Sequence, residues 1–364
     1  MSRVRTRGED VRKFVLKNVE KHPSDIAKIT AAHFRVTRQA VNKHLRNLVS
    51  EGVLVESGHT RNRAYKLCDL NSWGHTFPKT DALAEDVVWR NHVLPEIGQL
   101  PENVLAIWHY GFTEMFNNAL DHSEGTQISV SIKKTAAFTE ITITDNGIGI
   151  FRKIQSAMGL LDERHAVLEL AKGKLTTDPR NHSGEGIFFA SRMFDEFAIA
   201  SGGVFFSHQF GDTEDWIMQH VNPVAGTAVF MKLGNHTART DKKIFDQFTS
   251  GENFGFTKTV VPVQLAQYGN DKLISRSQAK RLLARVELFK AVVFDFASVS
   301  SIGQAFADEI FRVFASRHPD IEIMEIHTSP EVKAMIGRAR SGLINGPTIP
   351  GQRSPSSDDK RGAR

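Results

Sequence analysis

Glu114-Met115-Phe116-Asn117-Asn118-Ala119 stands 31 residues ahead of Asp145-Asn146-Gly147-Ile148-Gly149-Ile150. Around the first stretch, Trp108, Phe112, Met115, Phe116 and Ala119 recur at helical spacing, which predicts a helix over about 102–122. Glu114, Asn118 and His122 then lie at i, i+4 and i+8 and share its other face. A solvated face carries similar residues. Asparagine is a poor helix former, however, and propensity does not explain two in a row. Ile128, Val130 and Ile132 alternate, as do Ile141 and Ile143, so two strands follow. The second runs straight into Asp145. Gly147 and Gly149 permit positive φ and let a ligand approach the backbone closely.

Residues 172–182 are polar and aperiodic and read as a mobile loop. It ends at Ser183-Gly184-Glu185-Gly186, before a helix with Ile187, Phe188, Phe189, Met193 and Phe194 on it. Backbone N–H groups at a helix N-terminus favour phosphate. Strands are expected at 197–201, 204–210 and 227–233, the last opening with Gly226-Thr227-Ala228-Val229.

This order of E-x-x-x-N on a helix, DNGIG, GEGI and a late-strand GT resembles the GHKL ATPases over about 80–235. Gyrase, the heat-shock chaperone ATPase, histidine kinases, the mismatch-repair ATPase and the anti-sigma-factor serine kinases belong to that family. The resemblance implies ATP and Mg²⁺ as cofactors. It implies that Asn118 coordinates Mg²⁺, an ion that takes hard oxygen ligands, and that Glu114 is the general base. It further implies that Asp145 accepts from the adenine amino group with Thr227 in support. Gly147 and Gly149 pass the nucleotide, and Ser183, Gly184 and Gly186 form the phosphate-facing end of a lid. His122 matches the Asn-to-His spacing of the anti-sigma kinases.

Residues 1–70 hold 15 Lys/Arg against 7 Asp/Glu, and the remainder holds 31 against 34. The basic character therefore belongs to the N-terminal segment, as a solvated face or a nucleic-acid footprint. Val11, Phe14, Val15 and Val19 predict a helix over 9–21. Asp25 would cap a second helix with Ile26 and Ile29 inward, and Thr37 a third with Val41, Leu45 and Leu48 inward. Gly52 ends the third, and two strands follow around Ser57-Gly58-His59-Thr60. Three helices and a hairpin resemble the winged helix-turn-helix of bacterial regulators. The recognition helix would be 37–50. Arg38, Gln39, Asn42, Lys43 and Arg46 would face base edges, while Arg61 and Arg63 would reach phosphates or the minor groove. Winged helices also dock proteins; the local charge favours DNA.

Beyond about residue 257, strands and helices alternate: a strand at 260–263, a helix over 275–289, a strand at 291–296, a helix over 305–314, a strand at 321–326 and a helix over 330–340. Phe294-Asp295-Phe296-Ala297-Ser298-Val299-Ser300-Ser301-Ile302-Gly303 resembles the STAS domain of anti-sigma-factor antagonists. The serine phosphorylated in that family aligns with Ala305, and the usual Asp-Ser before it becomes Gly303-Gln304. Ser300 and Ser301 are the alternative acceptors. Phe306-Ala307-Asp308-Glu309 looks like a STAS-like subfamily without an assigned activity.

The expected fold class is α+β and multidomain. Residues 1–68 are a winged helix-turn-helix, 69–80 a linker, and 81–235 a GHKL α/β sandwich with a mixed sheet and helices on one face. Residues 236–256 are a second linker, 257–340 a STAS-like α/β domain, and 341–364 a disordered tail rich in Gly, Pro, Ser and Arg. No apolar run approaches the roughly 18 residues of a membrane span. The single cysteine, Cys68, forms no internal disulfide and suits a reducing cytoplasm. The expected function is a cytoplasmic regulator in which Mg-ATP binding, with slow hydrolysis or phosphotransfer, is tied to DNA binding in transcription. A serine/threonine protein kinase of the anti-sigma type and a non-catalytic ATP-gated scaffold in stress or phage defence are the alternatives. Expected partners are DNA, a protein at the STAS-like domain and a second copy of the chain, with no membrane.

Overall fold

A computed structural model describes residues 3–59, 62–175, 184–211, 216–249, 255–267 and 272–344. At the N-terminus α1 (Arg3–Asn18), α2 (Ile26–Phe34) and α3 (Arg38–Ser50) precede a hairpin of β1 (Leu54–Ser57) and β2 (Ala64–Leu67). Val15, Val19, Ile26, Val41, Leu45, Leu48, Leu54, Tyr65 and Leu67 form their common core. Thr37 caps α3, its Oγ1 accepting from the Ala40 N–H at 3.2 Å. Asp25 makes no side-chain cap. Its Oδ1 lies 3.1 Å from His22 Nδ1, so α2 starts on the Asp25 backbone carbonyl instead. Helix α1 begins earlier and ends sooner than the apolar spacing predicts.

The central sheet has the order β3-β4-β5-β7-β6, with β3 (Asn71–Pro78), β4 (Gln127–Lys134), β5 (Phe138–Asp145), β6 (Glu196–Gln209) and β7 (Trp216–Gly234). Every neighbouring pair is antiparallel. The expected mixed sheet is thus corrected. A helical crossover links β5 to β6, and β7 enters between these two like-directed strands. The expected linker at 69–80 is corrected as well: Asn71–Pro78 pairs with β4 along its whole length. Its Phe77 packs into the core, but its alternation is broken by Gly74 and ends in Pro78, the composition of an edge strand. The 197–201 and 204–210 stretches are one strand, bulged at Gly202. A segment of α4 (Glu85–Val88), a π-helical turn (Trp89–Val93) and α5 (Leu94–Ile97) leads into α6 (Glu102–His122). With α7 (Ile150–Met158), α8 (Glu163–Lys172) and α9 (Gly186–Met193), α6 covers the face carrying Ile128, Val130, Ile132, Ile141 and Ile143.

Residues 236–256, expected to be a linker, contain α10 (Asp241–Phe248). Its Phe245 meets Phe189 and Tyr110, which fixes it against α9 and α6. The C-terminal sheet is parallel, with the order β10-β9-β8: β8 (Lys258–Pro262), β9 (Ala291–Asp295) and β10 (Glu322–Ile326). Around it lie α11 (Arg276–Leu283), α12 (Gln304–Asp308), a π-helical turn (Glu309–Phe314), α13 (Ala315–Arg317) and α14 (Pro330–Ile344). The helix expected over 275–289 stops at Leu283, because Arg285 turns into the left-handed region at φ 64°. Residues 341–344 belong to α14, and the rest of the expected tail lies outside the described residues. Among the described residues no helix is long and apolar enough to cross a membrane.

One hydrophobic core runs through the central and C-terminal modules. At the seam Phe256 packs on Phe188, Phe189 and Phe289. Lys172, fully buried at the end of α8, gives Nζ–H bonds to Glu169 Oε1 at 2.7 Å and to the carbonyls of Arg281 and Ala284 at 3.1 and 2.8 Å. Thr259 Oγ1 donates to the Lys172 carbonyl at 2.6 Å, and Arg285 donates to the Lys174 carbonyl.

Candidate functional site

A cavity of about 260 Å³ opens between α6, the sheet and α9. Glu114, Asn118 and His122 line it from α6, spaced one turn apart as the helix period requires. Asp145 lines it from the end of β5, Thr227 and Val229 from β7, and Gly184 and Gly186 from the approach to α9. The four sequence stretches that are far apart along the chain therefore meet in one place.

The floor is built for close backbone approach. Asp145 Oδ1 accepts from the Gly147 N–H at 2.8 Å, and Thr227 Oγ1 accepts from the Ile150 N–H at 3.0 Å. A Cβ on Gly147 would overlap the Ser123 carbonyl, and one on Gly226, at φ 70°, would overlap the Asp145 carbonyl. Both obstacles are backbone and cannot swing aside. Gly186 leaves room for the Glu114 carboxylate, which a Cβ there would strike. Asn146, outside the cavity, fixes the turn: its Oδ1 accepts from the Thr126 and Gln127 N–H groups at 2.8 and 3.1 Å.

Burial pushes the Asp145 carboxyl up, against bonds from the Gly147 N–H and from the backbone and hydroxyl of Thr227, and against the charge of Lys79. Burial also raises Glu185, which Lys174 opposes, and lowers Lys174 itself. The Tyr110 hydroxyl, one turn before Glu114, is raised by burial and then by the charges of Glu114 and Glu185. Acid groups thus crowd the α6–α9 side of the cavity. A ligand bringing a divalent cation there would meet oxygen donors already in place.

Sequence reasoning missed Lys153, the one lysine or arginine lining the cavity among the described residues. Its Nζ donates to the His122 carbonyl at 2.8 Å and to Glu124 Oε1 at 3.1 Å. Its signal was its place three residues after Ile150 on an amphipathic helix whose facing only the tertiary fold sets. Ser123 was missed too. Ser183 lies outside the described residues, as do Arg61 and most of the polar loop before Ser183.

In the N-terminal module Arg38, Gln39, Asn42, Lys43 and Arg46 are all exposed on α3, opposite the buried Val41, Leu45 and Leu48. Arg63 Nε sits 3.1 Å from Glu56 Oε1 within the hairpin, so it is tied to a carboxylate of its own module. Among the described residues no cluster of three His, Cys, Asp or Glu side chains is placed to hold a metal.

No curated protein matches the chain. Residues 108–211 match the family described as histidine kinase-, DNA gyrase B-, and HSP90-like ATPase, and residues 278–333 match a STAS-like domain of unknown function. The first span holds Glu114, Asn118, Asp145 and Gly186, and the second holds β9, α12 and β10. The chain therefore carries a GHKL-type ATPase domain, with the nucleotide binding that such a domain implies, joined to a STAS-like domain.

Proposed function

We propose that the chain binds ATP with Mg²⁺ in the cavity beneath α6 and that nucleotide occupancy sets how its N-terminal module, a winged helix, grips DNA. The observation that carries the reading is the convergence of Glu114, Asn118, Asp145, Thr227 and Gly186 on one cavity. The residues fit the ligand. The buried Asp145 carboxylate, an acceptor only when ionised, suits the adenine amino group, and Thr227 holds the turn beside it. The Asn118 side-chain carbonyl suits Mg²⁺. Glu114 suits a general base that polarises water or an acceptor hydroxyl, and Gly184 and Gly186 leave backbone N–H groups open to phosphate. Transfer of a phosphoryl group is chiefly positioning and charge neutralisation, which the metal would supply when bound.

For the DNA arm, the exposed residues of α3 include the cations Arg38, Lys43 and Arg46 and the amides Gln39, Asn42 and Asn47. One element joins the two ends. Strand β5 begins at Phe138, which packs into the N-terminal core, and ends at Asp145 on the cavity floor. Lys232 adds a tie, 3.4 Å from Glu20 of the N-terminal module. ATP would shift DNA affinity by binding one arrangement of this strand and its neighbours better than another. Transcriptional control in the cytoplasm is the setting this implies.

Calorimetry with Mg-ATP tests the first half, and DNA affinity with and without Mg-ATP, in wild type and Asn118→Ala, tests the second. Binding heat absent from wild type removes the nucleotide. Equal DNA affinity under all four conditions removes the switch.

A further inference from the structure

The STAS-like module has a nucleophile of its own at the carboxyl ends of β9 and β10. His327 follows β10 and Asp295 ends β9. His327 Nδ1 lies 2.8 Å from Asp295 Oδ1, which also accepts from the Ala297 N–H at 2.9 Å. The carboxylate is thereby fixed from two sides and is only 12% exposed, whereas the imidazole is 47% exposed. A carboxylate oxygen is an acceptor, so Nδ1 carries a proton toward Asp295, and Nε2 is the ring nitrogen left to offer a lone pair. Among the described residues Nε2 has no hydrogen-bond partner.

The two loops that hold this pair are strained. His327 sits at φ 52° and Ser298 at φ 58°, in the left-handed region that is uncommon for residues other than Gly, with Asn, Asp and His the side chains that adopt it most. Such a conformation persists where the surroundings impose it, often at functional sites. Ser329 Oγ donates to the Ser300 carbonyl at 2.7 Å and the Phe296 N–H to the Ile326 carbonyl at 3.0 Å, so the two loops are fastened together. In open sheets with parallel strands, the carboxyl ends are where ligands meet the fold. Ala305, on α12, brings no nucleophile to this end.

We propose that His327 is a phosphoryl acceptor, oriented by Asp295 and charged by a nucleoside triphosphate held in the ATPase cavity of this chain or of a second copy. This rests on the nucleotide reading given above. The Nε2 lone pair attacks the terminal phosphorus and an N–P bond forms. The bridging P–O bond breaks, and its electron pair leaves with the nucleoside diphosphate. No proton is lost: Nδ1 keeps its own, and Asp295 stabilises the imidazolium that results. Asp295 is a positioning residue in this step, since it acts only through the ring.

The test is incubation of the full chain with Mg²⁺ and ATP labelled on its terminal phosphate. The expected label is lost in acid, kept in alkali and absent from His327→Asn, which tolerates the left-handed backbone and keeps an amide for Asp295. His327→Asn is expected to bind ATP as wild type does by calorimetry. Asp295→Asn is expected to slow labelling several-fold and to shift the His327 ring ¹⁵N resonances with no change in melting temperature. An acid-stable label, a label unchanged in His327→Asn, or bound ATP with no label overturns the proposal. Phosphoramidate, which transfers phosphate to imidazole without a nucleotide site, separates this inference from the one beneath it. If the chain binds no ATP, faster modification of His327 than of the other exposed histidines still supports the acceptor. Modification at an equal or lower rate overturns it.

Discussion

Burial raises the Asp145 carboxyl while Gly147 and Thr227 pull it down, and the net direction is upward. The folded state therefore holds its proton more tightly than the unfolded chain does. Stability from this group is greatest below the unfolded carboxylate value and falls as pH rises through the window up to the raised one. Asp145→Asn removes the charge and keeps an acceptor for the Gly147 N–H. It is expected to be at least as stable as wild type near neutral pH, with an advantage that disappears in acid, in denaturant titrations across pH. A variant less stable at neutral pH would show that the hydrogen bonds outweigh burial. The same residue predicts that ATP affinity falls as pH drops through the raised value, because a protonated carboxyl no longer accepts on both oxygens; calorimetry across that range reads it. Gly147→Ala meets backbone rather than a movable side chain. It is expected to cost about 1–3 kcal/mol in denaturant unfolding, the usual range for overpacking, and to weaken ATP binding.

At the level of elements, α8 depends on a charge buried from solvent. Lys172 and Glu169 are each about 1% exposed, and desolvation holds the Lys172 ammonium below its ordinary range. Lys172→Met leaves buried Glu169 to Arg285, 3.3 Å away, and takes the donor from the Arg281 and Ala284 carbonyls, so it is expected to destabilise the chain by about 1–3 kcal/mol, the usual cost of a buried polar group left unmet, in chemical denaturation. Nothing in the sequence flagged Lys172: it opened a polar stretch that read as loop, and its carbonyl acceptors lie more than a hundred residues away, on α11 and just beyond it. The elements with strong local signals were legible. Helix α6 followed from its apolar period, α3 from Thr37 and its stripe, and β4 and β5 from alternation. Those defined by their neighbours were not: β3 lies at a sheet edge where alternation is weak, and α10 follows a loop and is held by aromatic contacts from α9 and α6. The cavity was legible because its residues carry local chemistry, in a glycine turn and an i, i+4 pair. Lys153 was not, since a lysine on a helix looks the same whether it faces solvent or a ligand.

Across the whole molecule, the exposed cations of α3 lie on a module whose core, among the described residues, takes in Ala136, Ala137 and Phe138 at the start of β5. If α3 enters a groove, Arg38→Ala, Lys43→Ala and Arg46→Ala should each weaken DNA binding. Removing a side chain that neutralises one phosphate should flatten the slope of log affinity against log salt by about 1, while ATP binding is unchanged. Filter binding at several salt concentrations reads both effects, and an unaltered slope in all three removes α3 as the DNA-facing surface. The opposite seam behaves differently. A fragment ending just after residue 256 would strip Phe289 from Phe256 and leave the Lys172 ammonium without the carbonyls of Arg281 and Ala284. The ATPase domain and the STAS-like domain therefore cannot be exchanged as separate cassettes. A lineage that lost the second would have to rebuild the surface of the first.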